Sequence, residues 1–305
     1  MVTELLARAG FAAARAESLP GDASKRYARL HGGPRPALLM ETPGQDYLDA
    51  FLRVARHLDA IGVPAPAVLA EAPGAALVED LGPQSMADAL DAGADPVPLY
   101  AAAARTLAKL HGAPPPDGLP AWDVPRMTEA AMATFLDWWW PAVFGTPPDD
   151  AMRAGLRAAL TEMLAPFAAE GFVHRDYFPA NLVPTARGMA VIDFQDAARG
   201  HPFYDLVSLV EDARRDVSAA AREAALRAYG GTPDAAAMAA LGAQRHLRVA
   251  ALWVRLDRRD GKPHYLAHGP RCWAHLARAL EHPATAPLRR FLDAHVPPRL
   301  RGNPA

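Results

Sequence analysis

Lysine is nearly absent from this 305-residue chain: only Lys25, Lys109 and Lys262 stand among 32 basic residues, and the rest are arginine. Cysteine is scarcer still. The single Cys272 excludes an internal disulfide framework and any multi-cysteine zinc site. A lone thiol fits a reducing compartment, where it serves as a small packed hydrophobe. Charge of one sign is also missing: 32 basic residues face 34 acidic ones, for a net charge of −2. That balance leaves no electrostatic footprint for nucleic acid or an anionic membrane. No apolar run approaches the roughly 18 residues of a membrane span, and Met-Val-Thr-Glu-Leu-Leu lacks the basic and apolar regions of a secretory signal. The expectation is a cytoplasmic protein with neither nucleic acid nor membrane as a partner. No G-x-x-x-x-G-K-[ST] motif occurs, which argues against a P-loop kinase. What is present is ordinary globular composition, 51% hydrophobic and 22% charged, with length for about two domains.

Proline and glycine punctuate the first quarter of the chain. Tyr27–Leu30 and Ala37–Met40 flank His31-Gly32-Gly33-Pro34, which predicts a hairpin. Leu48, Phe51, Leu52, Ala55, Leu58 and Ile61 repeat at helical spacing, and Gly62 ends that helix. Val68–Ala70 and Ala75–Val78 predict a further strand pair, followed by the irregular segment Glu79–Pro83. Beyond it the pattern is helical, with apolar periodicity from Leu99 to Leu110 and over about 127–140, 150–169, 204–228, 234–258 and 271–294. Phe172-Val173 and Met189–Phe194 are the only strand-like segments there. The reading is an α+β chain, with a small β-rich lobe over 1–82 and a larger, mainly helical lobe over 83–305.

The chemistry concentrates in Gly171-Phe172-Val173-His174-Arg175-Asp176-Tyr177-Phe178-Pro179-Ala180-Asn181, followed by Ile192-Asp193-Phe194. An apolar pair delivers Asp176 to a loop, Asn181 follows five residues later, and a buried-looking strand presents Asp193. Carboxylates and an amide oxygen are hard donors suited to Mg²⁺ on nucleotide phosphates. A carboxylate outside the metal shell can accept a hydroxyl proton. His174 suits a structural role, bonding backbone to hold the loop.

With Tyr204-Asp205-Leu206, these motifs resemble the aminoglycoside phosphotransferase/choline kinase superfamily, which shares the two-lobe protein-kinase fold. The resemblance implies ATP and Mg²⁺ as cofactors, Asp176 as catalytic base, and Asn181 and Asp193 as metal ligands. A closer resemblance covers most of the chain. Asp193-Phe194-Gln195-Asp196-Ala197, Glu211-Asp212-Ala213-Arg214, Gln244–Arg248 and Asp260–Leu266 are similar to the bacterial N-acetylmuramate/N-acetylglucosamine anomeric kinases of cell-wall recycling. It implies transfer to the 1-hydroxyl of an amino sugar. The rivals are another hydroxyl acceptor, such as an aminoglycoside, choline or homoserine, and a nucleotide-binding pseudokinase without turnover.

One departure from the superfamily is plain. The strand position that usually carries a phosphate-pairing lysine is Met40, which leaves its helix carboxylate partner (Asp46 or Asp49) in doubt. Lys25, Arg26 or Arg29 could reach the phosphates instead, with Arg29 preferred. Ser24, in the turn-rich loop Pro20–Ser24, could add backbone N–H groups. At the interlobe position, Glu79 C=O and Leu81 N–H suit adenine. Gln195, Asp196 and Arg199 follow the metal Asp and are candidate sugar contacts. Trp138-Trp139-Trp140 fan over about 200° on a helix, so one must lie near the surface; Trp138 is the candidate for stacking on a sugar ring. Arg245, Arg248 and Arg255 could meet a substrate carboxylate, although arginines so placed on a helix ordinarily form a solvated face.

Overall fold

The computed structural model describes residues 2–20 and 25–304. Helix α1 (Val2–Arg8) precedes strands β1 (Arg15–Ser18), β2 (Arg26–His31) and β3 (Ala37–Glu41). Helix α2 (Gln45–Ala60) then leads to β4 (Val68–Ala72) and β5 (Ala75–Glu79). The five strands form one antiparallel sheet in the order β1-β2-β3-β5-β4. The expected hairpin pairs Arg29 with Leu38 and Tyr27 with Met40. Strand alternation sorts the side chains onto two faces. Leu30, Leu39 and Leu77 pack with Leu5 and Phe11, whereas Met40, Ala76 and Val78 pack with Leu48 and Phe51. Strand β1 was not foreseen because all four of its residues are exposed; it forms an edge by pairing, with no burial pattern to betray it.

The remainder is mostly helical. It comprises α3 (Met86–Asp91), α4 (Pro96–His111), β6 (Ala121–Trp122), α5 (Val124–Thr134), α6 (Trp140–Phe144), α7 (Asp150–Leu164) and β7 (Gly171–Val173). Then follow β8 (Leu182–Thr185), β9 (Gly188–Val191), β10 (Ala198–Gly200), α8 (Phe203–Val210), α9 (Ala219–Tyr229), α10 (Ala235–Asp260), α11 (Gly269–Ala279) and α12 (Ala286–His295). Two continuous helices expected from periodicity are each broken. The 204–228 pattern stops at Val210, where Glu211 leaves helical geometry, and restarts after Ser218, whose side chain caps Ala221 N–H. The 271–294 pattern breaks around Pro283, which cannot continue a helix from within. Strands β6, β8 and β10 were missed because two to four residues are too few to show alternation. Trp138 lies in a π-turn, Phe135–Trp139, and is partly exposed, while Trp139 and Trp140 are buried. Among the described residues no helix is long and apolar enough to cross a membrane.

One apolar cluster crosses the Glu79–Pro83 connection. Met40, Leu48 and Phe51 share it with Leu107, Leu182 and Phe194, and the Phe51 and Phe194 rings stack at 4.9 Å. Helix α2 is thereby fixed both to the sheet and to the residue after Asp193.

A polar cluster joins the helical layers. His246 of α10 is fully buried, meets Glu211 Oε2 at 2.9 Å and stacks on His275 of α11 at 4.7 Å. Burial pushes both imidazoles below their ordinary value, and with the neighbouring His246 it takes His275 down to about 4. Each ring is neutral in the fold and charged in the unfolded chain below 6.5. Their contribution is therefore complete above that value and is lost as pH falls toward 4. Thermal unfolding is expected at a clearly lower midpoint at pH 4.5 than at pH 7.5; equal midpoints would contradict the buried neutral pair.

Candidate active site

Strand β7 ends at Val173 and hands the chain to His174-Arg175-Asp176. A buried carboxylate fixes this loop. Asp205 of α8, 0% exposed, accepts the His174 N–H at 2.5 Å and the Arg175 N–H at 2.9 Å. His174 has the structural role expected of it. Its Nδ1 accepts the Asp176 N–H (3.3 Å), which leaves Nε2–H to donate to Ile192 C=O at 3.0 Å. Asn181 donates Nδ2–H to the Asp176 carbonyl (3.0 Å), leaving its amide oxygen as the donor atom for a cation, and Ile192 N–H bonds Asn181 C=O at 3.0 Å. These bonds tie the Asp176 loop, Asn181 and the approach to Asp193 into one unit. Arg175 (φ 75°) and Asp193 (φ 61°) are the only non-glycine residues with positive φ among those described. Such strain persists where surrounding bonds over-determine the backbone, and here it marks the two loops that carry the acids.

Asn181 and Asp193 open onto a cleft of about 780 Å³ that Lys25, Arg29, Glu79 and Leu81 also line. Lys25, only 15% exposed, forms an ion pair with Asp193 and hydrogen-bonds the Tyr47 hydroxyl of α2. Burial alone would lower the Lys25 pKa, but the Asp193 carboxylate holds it above its ordinary value. Burial pushes Tyr47 up to about 12. Met40 is buried, and Asp46 and Asp49 are both exposed, with Asp49 bound to Gln45 at 2.7 Å. In this cleft the lysine that meets a helix side chain is Lys25, bonded to Tyr47 of α2. Arg29 is held by Asp80, with Nε at 2.5 Å from one oxygen and the terminal nitrogen at 3.3 Å from the other. The Glu79 side chain bonds Arg187 at 2.6 Å. Ser24 lies outside the described residues.

The candidate sugar contacts separate. Gln195 donates to Asp193 (3.2 Å) and Asp196 (3.3 Å). Asp196 is exposed, and its carbonyl accepts from Arg175 at 3.3 Å. Arg199 is exposed and lies 3.7 Å from Glu170, and Trp138 is not among the residues lining the cleft.

Asp176 is surrounded by arginines, of which Arg245 and Arg248 come from the distant helix α10. Burial would raise its pKa, yet Arg245, Arg248, His174 and Arg175 hold it below the ordinary value, so it is ionised. The solvated face expected for the α10 arginines is not what forms: Arg245 is 2% exposed. Asp80 and Tyr47 were given no role from the sequence because no local signal marks their long-range partners, and Arg214 entered only as the last residue of the Glu211–Arg214 motif. Asp205 could have been found from its place in Tyr204-Asp205-Leu206.

Comparison with known proteins places this geometry. The phosphotransferase enzyme family matches residues 15–241. The N-acetylmuramate/N-acetylglucosamine kinase of Caulobacter vibrioides is 36% identical, over 96% of this chain and 95% of that one. The protein of the same name from Pseudomonas aeruginosa is 33% identical, over 91% and 88%. Among solved structures, a thermostable mutant of an aminoglycoside phosphotransferase in ternary complex with AMP-PNP and hygromycin B superposes with a TM-score of 0.60. It is 19% identical, covering 91% of this chain and 98% of that one.

The Asp205 brace has a direct test. Asparagine in its place keeps one acceptor and turns an amide N–H toward a backbone N–H. Asp205→Asn is expected to cost about 1.5–3 kcal/mol, the worth of a charged hydrogen bond, read as a lower urea midpoint. An unchanged midpoint would show that the loop does not depend on this carboxylate.

Proposed function

This chain belongs to the phosphotransferase enzyme family, and from that premise we propose that it transfers the γ-phosphoryl group of ATP to the anomeric 1-hydroxyl of an amino sugar, N-acetylmuramate or N-acetylglucosamine. The names of relatives at 36% and 33% identity over most of the chain support the acceptor. The AMP-PNP held by a protein of the same fold supports the nucleotide. The observation that carries the reading is the bonded unit that ties the Asp176 loop to Asn181 and to the backbone before Asp193, with Asn181 and Asp193 lining the cleft.

Asp176, ionised and free of the metal position, orients the acceptor hydroxyl and takes its proton. A carboxylate of depressed pKa is a weak base, so its first task is to orient the hydroxyl, and an anomeric hydroxyl, more acidic than an ordinary alcohol, asks less of it as a base. The sugar oxygen forms its bond to the γ-phosphorus as the bond to the β-phosphate oxygen breaks, and ADP leaves. The hard oxygens of Asn181 and Asp193 fit Mg²⁺, and Lys25 already seated on Asp193 marks this carboxylate as a cation site. Bound there, Mg²⁺ supplies charge neutralisation on the phosphates. Lys25 takes the phosphate-facing role left by Met40, and Tyr47 holds it in place. Glu79 C=O and Leu81 N–H meet the adenine edge, and Gln195 and Asp196 border the acceptor. With Lys25 in that role, Met40 no longer favours a silent pseudokinase.

An ATP-consumption assay with N-acetylmuramate and N-acetylglucosamine tests the reading. Asp193→Ala is expected to stay folded and to lose ATP-dependent phosphorylation; near-normal turnover would overturn the site. Lys25→Met is expected to raise the KM for ATP tenfold or more, and Arg29→Met much less. The reverse order would return the phosphate role to Arg29.

A further inference from the structure

We propose that Arg214, Arg245 and Arg248 form a subsite that reads a carboxylate on the acceptor, so that this chain favours an acidic amino sugar over a neutral one. The inference rests on the amino-sugar reading above and assigns its acceptor preference to particular residues.

Arg245 and Arg248 stand three residues apart on α10, a spacing that puts both on one helix face, and both act on Asp176. Arg214 reaches the same carboxylate from the segment between α8 and α9. Asp212, 2% exposed, also acts on Arg214 and Arg245, but among the described residues no carboxylate forms an ion pair with any of the three side chains. The Nε atoms of Arg175, Arg245 and Arg248 are buried without a hydrogen-bond partner. The bonds that Arg245 and Arg248 do make end on neutral oxygens, the Arg175 carbonyl (3.3 Å) and the Tyr204 hydroxyl (3.2 Å). The Arg214 guanidinium lies over Phe178 at 4.1 Å and Trp253 at 5.1 Å. Such stacking fixes the plane of the fork and leaves its edge for a ligand.

Burying an arginine without a counter-ion is unfavourable, and Arg175, Arg214, Arg245 and Arg248 beside only Asp176 and Asp212 leave an excess of positive charge that favours an anion. A planar carboxylate offsets it with paired, charge-assisted bonds. N-acetylmuramate carries such a group on C3, two carbons from the hydroxyl that Asp176 receives. N-acetylglucosamine does not. The other oxyanion in the reaction is the transferring phosphoryl group, and the two sources separate in kinetics because only the carboxylate differs between acceptors.

Initial rates of the full-length enzyme with both sugars test the proposal in Arg248→Gln, Arg248→Lys and Arg214→Gln, each checked for folding by thermal unfolding. The expected result is that the ratio of kcat/KM for N-acetylmuramate to that for N-acetylglucosamine falls about tenfold or more in Arg248→Gln, on the scale of one charge-assisted bond. The loss should lie in KM for the acidic sugar, with partial recovery in Arg248→Lys. Arg214→Gln gives an independent measurement if Arg248→Gln does not fold. An unchanged ratio, or equal loss of kcat with both acceptors, assigns the arginines to the phosphoryl group or to structure and overturns the proposal. Calorimetric titration of each sugar keeps the two readings apart. If the wild type phosphorylates neither sugar, the amino-sugar reading fails. Tighter binding of N-acetylmuramate that Arg248→Gln abolishes would still support the subsite, and equal binding of the two sugars would not.

Discussion

Two successive backbone N–H groups, those of His174 and Arg175, point at one buried carboxylate, and the rest of the site follows from that arrangement. Satisfying both forces Arg175 into the left-handed region and aims Asp176 away from the strand that delivers it. The Asp176 carbonyl is then placed to take the Asn181 amide, and Asn181 in turn holds the backbone just before Asp193. A single neutral acceptor could bond only part of this loop. A carboxyl group offers two oxygens, one for each of these N–H groups, which gives a physical reason for an acid at a fully buried position.

Charge is distributed along the site in two different currencies of cation. In the cleft a lysine, one of only three in the chain, meets Asp193. A compact ammonium on a flexible stem can shift between a carboxylate and a phosphate oxygen with little change elsewhere. Around Asp176 stand arginines held by stacking and backbone bonds, whose forks suit a planar partner in a fixed orientation. The stacking of Phe194 on Phe51 ties α2, which carries Tyr47, to the loop of Asp193, so the cation and the carboxylate it faces are positioned by one core.

Local patterns carried much of this into the sequence. The hairpin, α2 and α10 have apolar periodicity long enough to read, and Asp176, Asn181 and Asp193 are recognisable because their spacing sits on a loop between apolar strands. What stayed hidden depends on contacts between distant residues. Lys25 and Asp193 are 168 positions apart, and Arg29 and Asp80 are 51 apart, so nothing in either neighbourhood announces the pair. The α10 arginines were expected in solvent because helical periodicity reports one buried face. Helix α10 is instead packed by α5, α8 and α11, and a polar residue on any of those sides is enclosed. The break at Glu211 was hidden for a related reason: the charged run after it turns inward to supply Asp212 and Arg214.

Phosphorus and carbon NMR of the product formed from ATP and N-acetylglucosamine labelled with ¹³C at C1 tests the central claim most directly. Asp176 and Asp193 serving one cleft for anomeric transfer predicts a phosphorus signal coupled to the labelled carbon and loss of the free reducing end. Phosphate attached at any other carbon, or no transfer to an amino sugar at all, would contradict it.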